Sequence, residues 1–334
     1  MSALISTPTP EPCVRARGVA KAFAGSVQAL DGAGLELRAG ELVGLIGANG
    51  SGKSTFLKIL AGKFPPDRGE VRVLGMDPAR RGSALRRRMA YLSQEAALDP
   101  EMTGREIIRL FLALHSALEV DHAEAALSLA SAFGLEQSLD RRVSAYSGGM
   151  RQRLHMVMAL FPAPEVLLCD EPTVGLDPGG RALAWEVLRE RGRQGGAVAV
   201  ATHDLIEAEQ SCHRLLILEA GKILIEERPE EIVRLHGLAV FEADFRAPPR
   251  DLAGRASAWR GVARCELTET GIALGLREES GSDSDLVAAL EAAGVEVQGY
   301  RRRRPDLAGA YFQITGRPWS ALPPRRAGGR RRHA

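Results

Sequence analysis

The sequence predicts an α/β fold, because two short apolar runs have the length and composition of buried strands and one of them leads through a glycine-rich turn into a helix. The first run covers residues 42–46, and a helix with an apolar face is predicted over residues 54–60. The second run begins at Val166 and ends in Asp170 and Glu171. These strand ends are candidate site positions, since ligands of α/β sheets bind where the strands end.

The turn after the first strand matches the phosphate-binding pattern G-x-x-x-x-G-K-[ST]. Its glycines let backbone N–H groups converge on phosphate oxygens, and the helix N-terminus adds about half a positive charge. Lys53 is expected to reach the β- and γ-phosphates, and the Ser54 hydroxyl to bind Mg²⁺. The pattern alone leaves open a glycine-rich turn without a ligand, but the flanking strand and helix argue against it. The predicted nucleotide-contacting residues are Gly47, Asn49, Gly50, Ser51, Gly52, Lys53, Ser54 and Thr55.

The two carboxylates at the end of the second strand have different predicted roles. Asp170 is expected to hold Mg²⁺ through water, because Mg²⁺ keeps several waters and takes few protein carboxylates. Glu171 is placed to polarise an attacking water as a general base. The alternative is a solvated acidic turn, which an apolar strand running directly into the pair disfavours.

A second phosphate-facing element follows from Ser147, Gly148 and Gly149, which precede a helix predicted from Met150 to Phe161. The free N–H groups at the start of such a helix suit a γ-phosphate. Together, the glycine-rich turn, the paired acids and the Ser-Gly-Gly turn resemble the ATPase subunits of ABC transporters, over about residues 14–226. The predicted fold class is therefore an α/β P-loop NTPase core of ABC type with a helical subdomain, followed by a small α+β appendage.

The resemblance implies an ATP hydrolase that uses ATP and Mg²⁺, and it assigns further residues. Gln94 matches the glutamine that touches Mg²⁺ and the attacking water, and His203 matches the histidine that contacts the γ-phosphate. Asp177 matches the aspartate that acts across a dimer interface. Phe23 lies where the family has an aromatic ring that stacks on adenine, although a phenylalanine at a strand end is equally compatible with the core. In the family, the Ser-Gly-Gly turn closes over ATP held by a second copy, which implies a homodimer or a pair with a close paralogue.

Two departures from the common family pattern are informative. Tyr146 and Met150 replace the leucine and glutamine of Leu-Ser-Gly-Gly-Gln, a variant that resembles subunits serving exporters of drugs, polysaccharides or small hydrophobic compounds. His213 stands where many relatives have an aspartate. Export rather than import is inferred from Tyr146, Met150 and the appendage.

Composition shifts suggest four regions. Residues 1–12 are predicted to be a disordered tail and residues 13–236 the ATPase domain, with its helical subdomain at about 95–150. Residues 238–317 are predicted to form the α+β appendage, with dimer support or regulation as candidate roles. Residues 318–334 are predicted to be a basic disordered tail, with contact with anionic lipid and contact with RNA as the functional alternatives.

Composition also limits the partners. A net charge of +2 gives no overall field that would indicate nucleic acid, so no nucleic-acid partner is expected. The four cysteines are scattered, as in reduced proteins of the cytoplasm. No apolar run reaches the roughly 20 residues that span a bilayer, and the N-terminus lacks the apolar core of a signal peptide. A transport role therefore requires separate membrane-spanning permease subunits, with this chain cytoplasmic and peripheral on the inner face of the cell membrane.

Two competing functions differ in class. A soluble ABC-type ATPase acting on ribosomes or nucleic acid is the main alternative, but such relatives carry two ATPase halves, long coiled coils or zinc modules, and this sequence has a single motif set. A P-loop kinase is the third candidate, and the Ser-Gly-Gly turn argues against it. Cargo is selected by the membrane subunits in these systems, so the sequence does not identify it.

Overall fold

The computed structural model describes residues 11–23, 27–114, 120–246, 249, 251–277, 280–317 and 331–332. It forms two compact units, one ending at Glu226 and the other beginning at Glu227. The division precedes helix α8 (Pro229–His236), which the sequence analysis placed in the larger domain. The physical reason is that α8 packs against α11 (Leu307–Thr315) of the second unit.

The elements of the first unit alternate strands and helices, as an α/β fold requires. Its strands are β1 (Val14–Phe23), β2 (Val27–Leu37), β3 (Leu42–Ile46), β4 (Arg68–Val73), β5 (Met89–Leu92), β6 (Val166–Asp170), β7 (Ala197–Thr202), β8 (Arg214–Glu219) and β9 (Lys222–Glu227). Its helices are α1 (Lys53–Leu60), α2 (Gly82–Leu85), α3 (Gly104–Leu114), α4 (Val120–Ala132), α5 (Gly148–Leu160), α6 (Pro178–Arg193) and α7 (Leu205–Ser211), with short 3₁₀ turns at Glu136–Ser138 and Val143–Ala145.

The central sheet positions the candidate site. Its order is β5-β6-β7-β3-β8-β9, and the pairs from β5 to β8 are parallel. Strands β3, β6 and β7 are completely buried and are apolar apart from the last residues of β6 and β7, which is typical of strands covered on both faces. Because these neighbours are parallel, their carboxyl ends meet at one edge, where Ile46 pairs with Thr202 and Asp170 with Ala201. The α/β fold class predicted from the sequence is confirmed.

A separate antiparallel sheet, in the order β2-β1-β4, packs on the same core. Fully buried side chains of α1, including Phe56 and Leu57, join this sheet to the central one. Phe23 is the last residue of β1 and lies at the rim of this sheet.

The insert between β5 and β6 is helical, as predicted. Helices α3, α4 and α5 pack on one another, and the rings of Phe111 and Phe161 meet edge to face with centroids 5.6 Å apart. Tyr146 is buried, and its hydroxyl donates to the carbonyl of Ser138 at 2.6 Å. The helical spacing of apolar residues predicts the first of these helices over Glu106–Leu118, and its residues 115–118 lie outside the described residues.

The second unit consists of α8, β10 (Ala239–Asp244), α9 (Leu252–Ser257), β11 (Val262–Leu267), β12 (Gly271–Leu276), α10 (Asp283–Ala292), β13 (Gly299–Arg303), α11 and β14 (Arg331–Arg332). From β10 to β13 the order of elements is β-α-β-β-α-β, and the antiparallel sheet runs β11-β12-β10-β13-β14. This is the split βαβ arrangement of ferredoxin-like domains. The predicted basic tail lies outside the described residues except for Arg331–Arg332 in β14.

No helix in the described part of the chain has both the length and the apolar character needed to cross a membrane.

Candidate active site

The phosphate loop joins the end of β3 to the start of α1. Gly52 caps α1 with a φ of 109°, and a Cβ there would lie 2.4 Å from the carbonyl oxygen of Ala29, so only glycine fits. The Lys53 side chain is buried, and its ammonium donates to the carbonyls of Gly47 at 2.7 Å and Ala48 at 3.1 Å. The cation is therefore held over the loop, where phosphate oxygens would bind.

The predicted magnesium ligands lie together. The Ser54 hydroxyl donates to Oδ1 of Asp170 at 2.9 Å, and the Asp170 residue is only 1% exposed. The Tyr91 hydroxyl donates to Oδ2 of the same carboxylate at 3.3 Å, and burial together with the charge of Asp170 raises the pKa of Tyr91. Sequence reasoning missed Tyr91, although its position in β5, beside β6, was a usable signal.

This donor set fits Mg²⁺. A hydroxyl and a carboxylate are hard oxygen ligands, and Mg²⁺ commonly takes only one or two protein carboxylates together with phosphates and water. Within the described residues, no group of three or more His, Cys, Asp or Glu side chains is arranged to hold a metal by itself. A metal at Ser54 and Asp170 would thus depend on nucleotide phosphates for the rest of its shell.

The two predicted catalytic residues Glu171 and His203 are in direct contact. Nδ1 of His203 lies 2.9 Å from both carboxylate oxygens of Glu171. The Glu171 side chain is 8% exposed, whereas that of His203 is 60% exposed. The parallel pairing of β6 and β7 explains the contact, because Glu171 and His203 directly follow these strands.

Glu171 also has a constrained backbone. Its φ is 51°, in the left-handed region that non-glycine residues rarely adopt, and its N–H donates to the carbonyl of Ala201 at 2.9 Å. A non-glycine residue in this region costs about 1–3 kcal/mol, which the surrounding structure must offset. Such strain is common at active sites and here directs the carboxylate toward His203.

Gln94 lies in the loop two residues after β5, and its side chain is exposed. Since β5 borders β6, this loop is at the same edge of the sheet as Asp170. Among the described residues, no hydrogen bond joins Gln94 to Ser54 or Asp170. The structure brings Gln94 to the site edge without direct contact with the magnesium pair.

The Ser-Gly-Gly turn caps α5. The Ser147 hydroxyl accepts the N–H of Met150 at 3.2 Å, and the helix begins at Gly148, two residues earlier than predicted. Ser147 and Gly148 are exposed. The Arg151 guanidinium donates to the carbonyl of Tyr146 at 2.7 Å, and this hydrogen bond ties the residue before the turn to the first turns of α5. The cap thus leaves the N–H groups at the start of α5 facing outward.

Helix α5 is also tied to the loop after β6. The buried Gln152 amide donates to the carbonyl of Pro172 at 2.9 Å, immediately after Glu171. The Arg153 guanidinium forms an ion pair with Asp177 and donates a hydrogen bond to its carboxylate. This hydrogen bond lowers the pKa of the aspartate. Sequence reasoning identified Asp177 but missed Gln152 and Arg153, because neither belongs to the short motif.

Phe23 is 44% exposed, so its ring is not a core side chain. It meets Phe64 edge to face at 5.6 Å, and the Lys21 ammonium lies 5.9 Å from its centroid. An exposed ring face held at the end of β1 suits a planar ligand, and the adenine-stacking role stays a prediction.

His213, which replaces the aspartate of many relatives, has an acceptor role. The imidazole Nδ1 of His213 accepts the backbone N–H of Leu42 at 2.9 Å, and the backbone N–H of His213 donates to the Leu42 carbonyl at 2.8 Å. An aspartate oxygen could accept the same N–H, so the exchange preserves the join between β3 and the segment before β8.

Comparison with known proteins is consistent with this geometry. The sequence profile of the ABC transporter family matches residues 30–174. The chain is 35% identical over 302 residues to the daunorubicin resistance ATP-binding protein DrrA3 of Streptomyces coeruleorubidus, covering 87% of this chain and 92% of that protein. It is 38% identical over 225 residues to the Nod factor export ATP-binding protein I of Rhizobium meliloti (strain 1021), covering 67% of each.

Solved structures give the same result. One, described as an ATP-binding subunit of an ABC transporter, superposes with a TM-score of 0.63 at 29% identity, covering 67% of this chain and 92% of that chain. Another, a dimeric ATP-binding cassette in a post-hydrolysis state bound to ADP and Pi, has a TM-score of 0.60 at 28% identity, covering 64% of this chain and 98% of that one.

Proposed function

Because the chain belongs to the ATP-binding subunits of ABC transporters, and is therefore an ATP-binding ATP hydrolase, we propose that it drives an exporter whose membrane-spanning subunits are separate chains. The observation that carries the catalytic part is the Glu171–His203 contact beside the phosphate loop. Two relatives named for drug resistance and for Nod factor export support the direction of transport.

The phosphate loop binds the triphosphate. The Lys53 ammonium compensates for negative charge on the β- and γ-phosphates by exchanging its hydrogen bonds to Gly47 and Ala48 for phosphate oxygens. Backbone N–H groups of residues 47–55 and the start of α1 provide the remaining donors. Phe23 packs against the adenine ring.

Ser54 and Asp170 are the residues that would hold Mg²⁺, the hydroxyl directly and the carboxylate through water, with Gln94 nearby. When bound, Mg²⁺ would supply positive charge that stabilises the phosphate oxygens during transfer. The hydrogen bond between Ser54 and Asp170 keeps the two ligands of this chain at the correct separation.

Glu171 is the general base. It accepts a proton from the attacking water, while His203 holds the carboxylate orientation and contacts the γ-phosphate. The low exposure of the Glu171 side chain limits competition from bulk water. Proton transfer therefore occurs at a carboxylate whose position is set by both the backbone and the imidazole.

Two copies of the chain assemble around two ATP molecules. The outward-facing N–H groups of Ser147, Gly148 and Gly149 bind the γ-phosphate held by the other copy. Asp177 acts at the same interface, and a dimeric post-hydrolysis relative supports this arrangement. Loss of the γ-phosphate contacts on hydrolysis loosens the interface and transmits the cycle to the membrane subunits.

The permease holds this chain at the inner face of the cell membrane.

The alignment with the drug-resistance relative includes residues of the second unit, because its 302 residues exceed the 226 of the first unit. The similarity to the drug-resistance relative thus extends into the second unit.

Turnover of Glu171→Gln tests the catalytic part. The amide cannot accept a proton, so phosphate release should fall by about 100-fold or more, and ATP should trap a dimer on size-exclusion chromatography. Glu190→Gln, an exposed acid-to-amide exchange on α6, is the matched control and should stay within about twofold of wild type. Wild-type turnover by Glu171→Gln would refute the assignment.

A further inference from the structure

A junction of two buried donors and one half-buried carboxylate lies next to the proposed catalytic pair. Oε2 of Glu207 accepts hydrogen bonds from Thr173 Oγ1 at 3.1 Å and from Trp185 Nε1 at 2.7 Å. Thr173 is 4% exposed and Trp185 is 3% exposed, so neither donor has free access to water. One carboxylate oxygen thus satisfies two buried donors from different parts of the chain.

Each of the three residues belongs to a segment that carries a residue of the candidate site. Thr173 lies two residues after Glu171, in the loop that follows β6. Trp185 is on α6, whose N-cap is Asp177. Glu207 is on α7, which follows His203 directly. The junction therefore joins the segments of the base, the interface aspartate and the γ-phosphate histidine.

Helix α7 is itself held firmly at its start. Oδ1 of Asp204 accepts the N–H groups of Ile206 and Glu207 at 3.1 Å each. This cap sets the direction of α7 from its first turn and gives Glu207 a defined orientation. A shift of Glu207 would consequently move the segment that holds His203 relative to the segment that holds Glu171.

A surface role for Glu207 fits these contacts poorly. An exposed acid on a helix gains little from its neighbours, whereas removing this carboxylate would leave a buried hydroxyl and a buried indole N–H without an acceptor. The indole has one N–H and no other polar group. Without the carboxylate, water from the cavity of about 570 Å³ that Trp185 and Glu207 line would have to replace this acceptor.

We propose that Glu207 is a positioning residue for ATP hydrolysis, which acts by keeping the loop of Glu171, helix α6 and the segment of His203 in one arrangement. The inference rests on the roles of Glu171 and His203 stated under the proposed function. It concerns the rate of the chemical step and not the binding of ATP, because the junction contacts neither residues 47–55 nor Phe23 by hydrogen bonds.

Steady-state hydrolysis by the full chain tests this proposal. Glu207→Ala should lower kcat by about 10- to 100-fold, the range expected when a catalytic group is displaced by a fraction of an ångström to one ångström. The KM for ATP should stay within about twofold. Glu207→Gln keeps an acceptor oxygen and should restore most of the rate. Gln210→Ala is the control, since Gln210 is an exposed residue of α7 that lines the same cavity as Glu207 and takes no part in the junction.

A double-mutant cycle provides a readout that lost stability alone would not produce. Thr173→Val removes one donor, so the double variant Thr173→Val, Glu207→Ala should be no slower than Glu207→Ala by more than about twofold. If Glu207→Ala fails to fold, the cycle is run with Thr173→Val and Glu207→Asp, whose carboxylate is one carbon shorter and cannot reach both donors in the same arrangement. Three results would overturn the proposal. They are additive losses of kcat in the double variant, a kcat of Glu207→Ala equal to wild type, and a rise in KM in place of a fall in kcat. Glu171→Gln, measured in parallel, separates a failure of this proposal from a failure of the proposed function. Wild-type turnover by Glu171→Gln rejects the assignment of the general base. An inactive Glu171→Gln beside a fully active Glu207→Ala rejects only the positioning role of Glu207.

Discussion

His155 on α5 should make the protein acid-sensitive above the range where carboxylates titrate. Burial lowers the pKa of His155 to about 4 from its ordinary 6.5. Its Nδ1 is buried, and within the described residues it has no hydrogen-bond partner. The side chain lines a cavity of about 270 Å³ together with Lys63, Arg86 and Arg87.

The sign and size follow from proton binding. Between pH 6.5 and 4 the unfolded chain binds a proton that the folded chain rejects, so the free energy of unfolding falls as the pH decreases. One pH unit is worth about 1.4 kcal/mol over this range. The full effect is about 3 kcal/mol, and about 2 kcal/mol of it should be lost between pH 7 and pH 5.

The assay compares His155→Leu with wild type by thermal unfolding at both pH values. The leucine is of similar size, suits the apolar neighbours Phe111 and Met158, and does not titrate. For a unit of this size, 2 kcal/mol corresponds to about 4–8 °C in Tm, so wild type should lose that much more than the variant on acidification. Equal pH dependence of the two proteins would show that the imidazole is solvated and would refute the reasoning.

Two further predictions concern packing and nucleotide binding. In Gly104→Ala the new Cβ would lie 2.5 Å from the Tyr146 hydroxyl, so its free energy of unfolding, measured in urea, should fall by about 1–3 kcal/mol. Gly148→Ala is the control, because no atom lies within 4 Å of its new Cβ and no clash penalty is expected. Equal stabilities of the two variants would contradict the packing argument. Phe23→Ala should weaken ATP binding by about tenfold with kcat unchanged, since one base–aromatic stack is worth about 1–3 kcal/mol. An unchanged ATP affinity, measured by calorimetry, would show that Phe23 does not belong to the site.

The local elements of the site were predictable from the sequence because they depend on neighbouring residues. The apolar run of β3, the glycine-rich turn and the start of α1 follow each other directly. The approach of Ser54 to Asp170, 116 residues away, follows from the rule that parallel strands present their carboxyl ends at one edge.

Other parts were not predictable, because they depend on contacts between distant segments. Several hydrogen bonds of the site belong to no sequence motif, because their partners meet only in the folded chain. They join Tyr91 to Asp170, Arg153 to Asp177, and two donors to Glu207. In the second unit the sequence predicts a strand near Val295–Tyr300, but β13 forms at Gly299–Arg303. Its pairing with β10 begins at Gly299, opposite Asp244, so the buried residues before it serve the core as a loop.

The most direct test of the proposed function is the set of proteins that co-purify with this chain. Tagged Glu171→Gln protein would be isolated from its native cells with ATP in mild detergent, beside tagged Glu190→Gln as control, and its partners identified by mass spectrometry. A polytopic membrane protein enriched with Glu171→Gln is the predicted result. Ribosomal or DNA-associated proteins without a membrane partner would contradict the exporter assignment and favour a soluble ATPase.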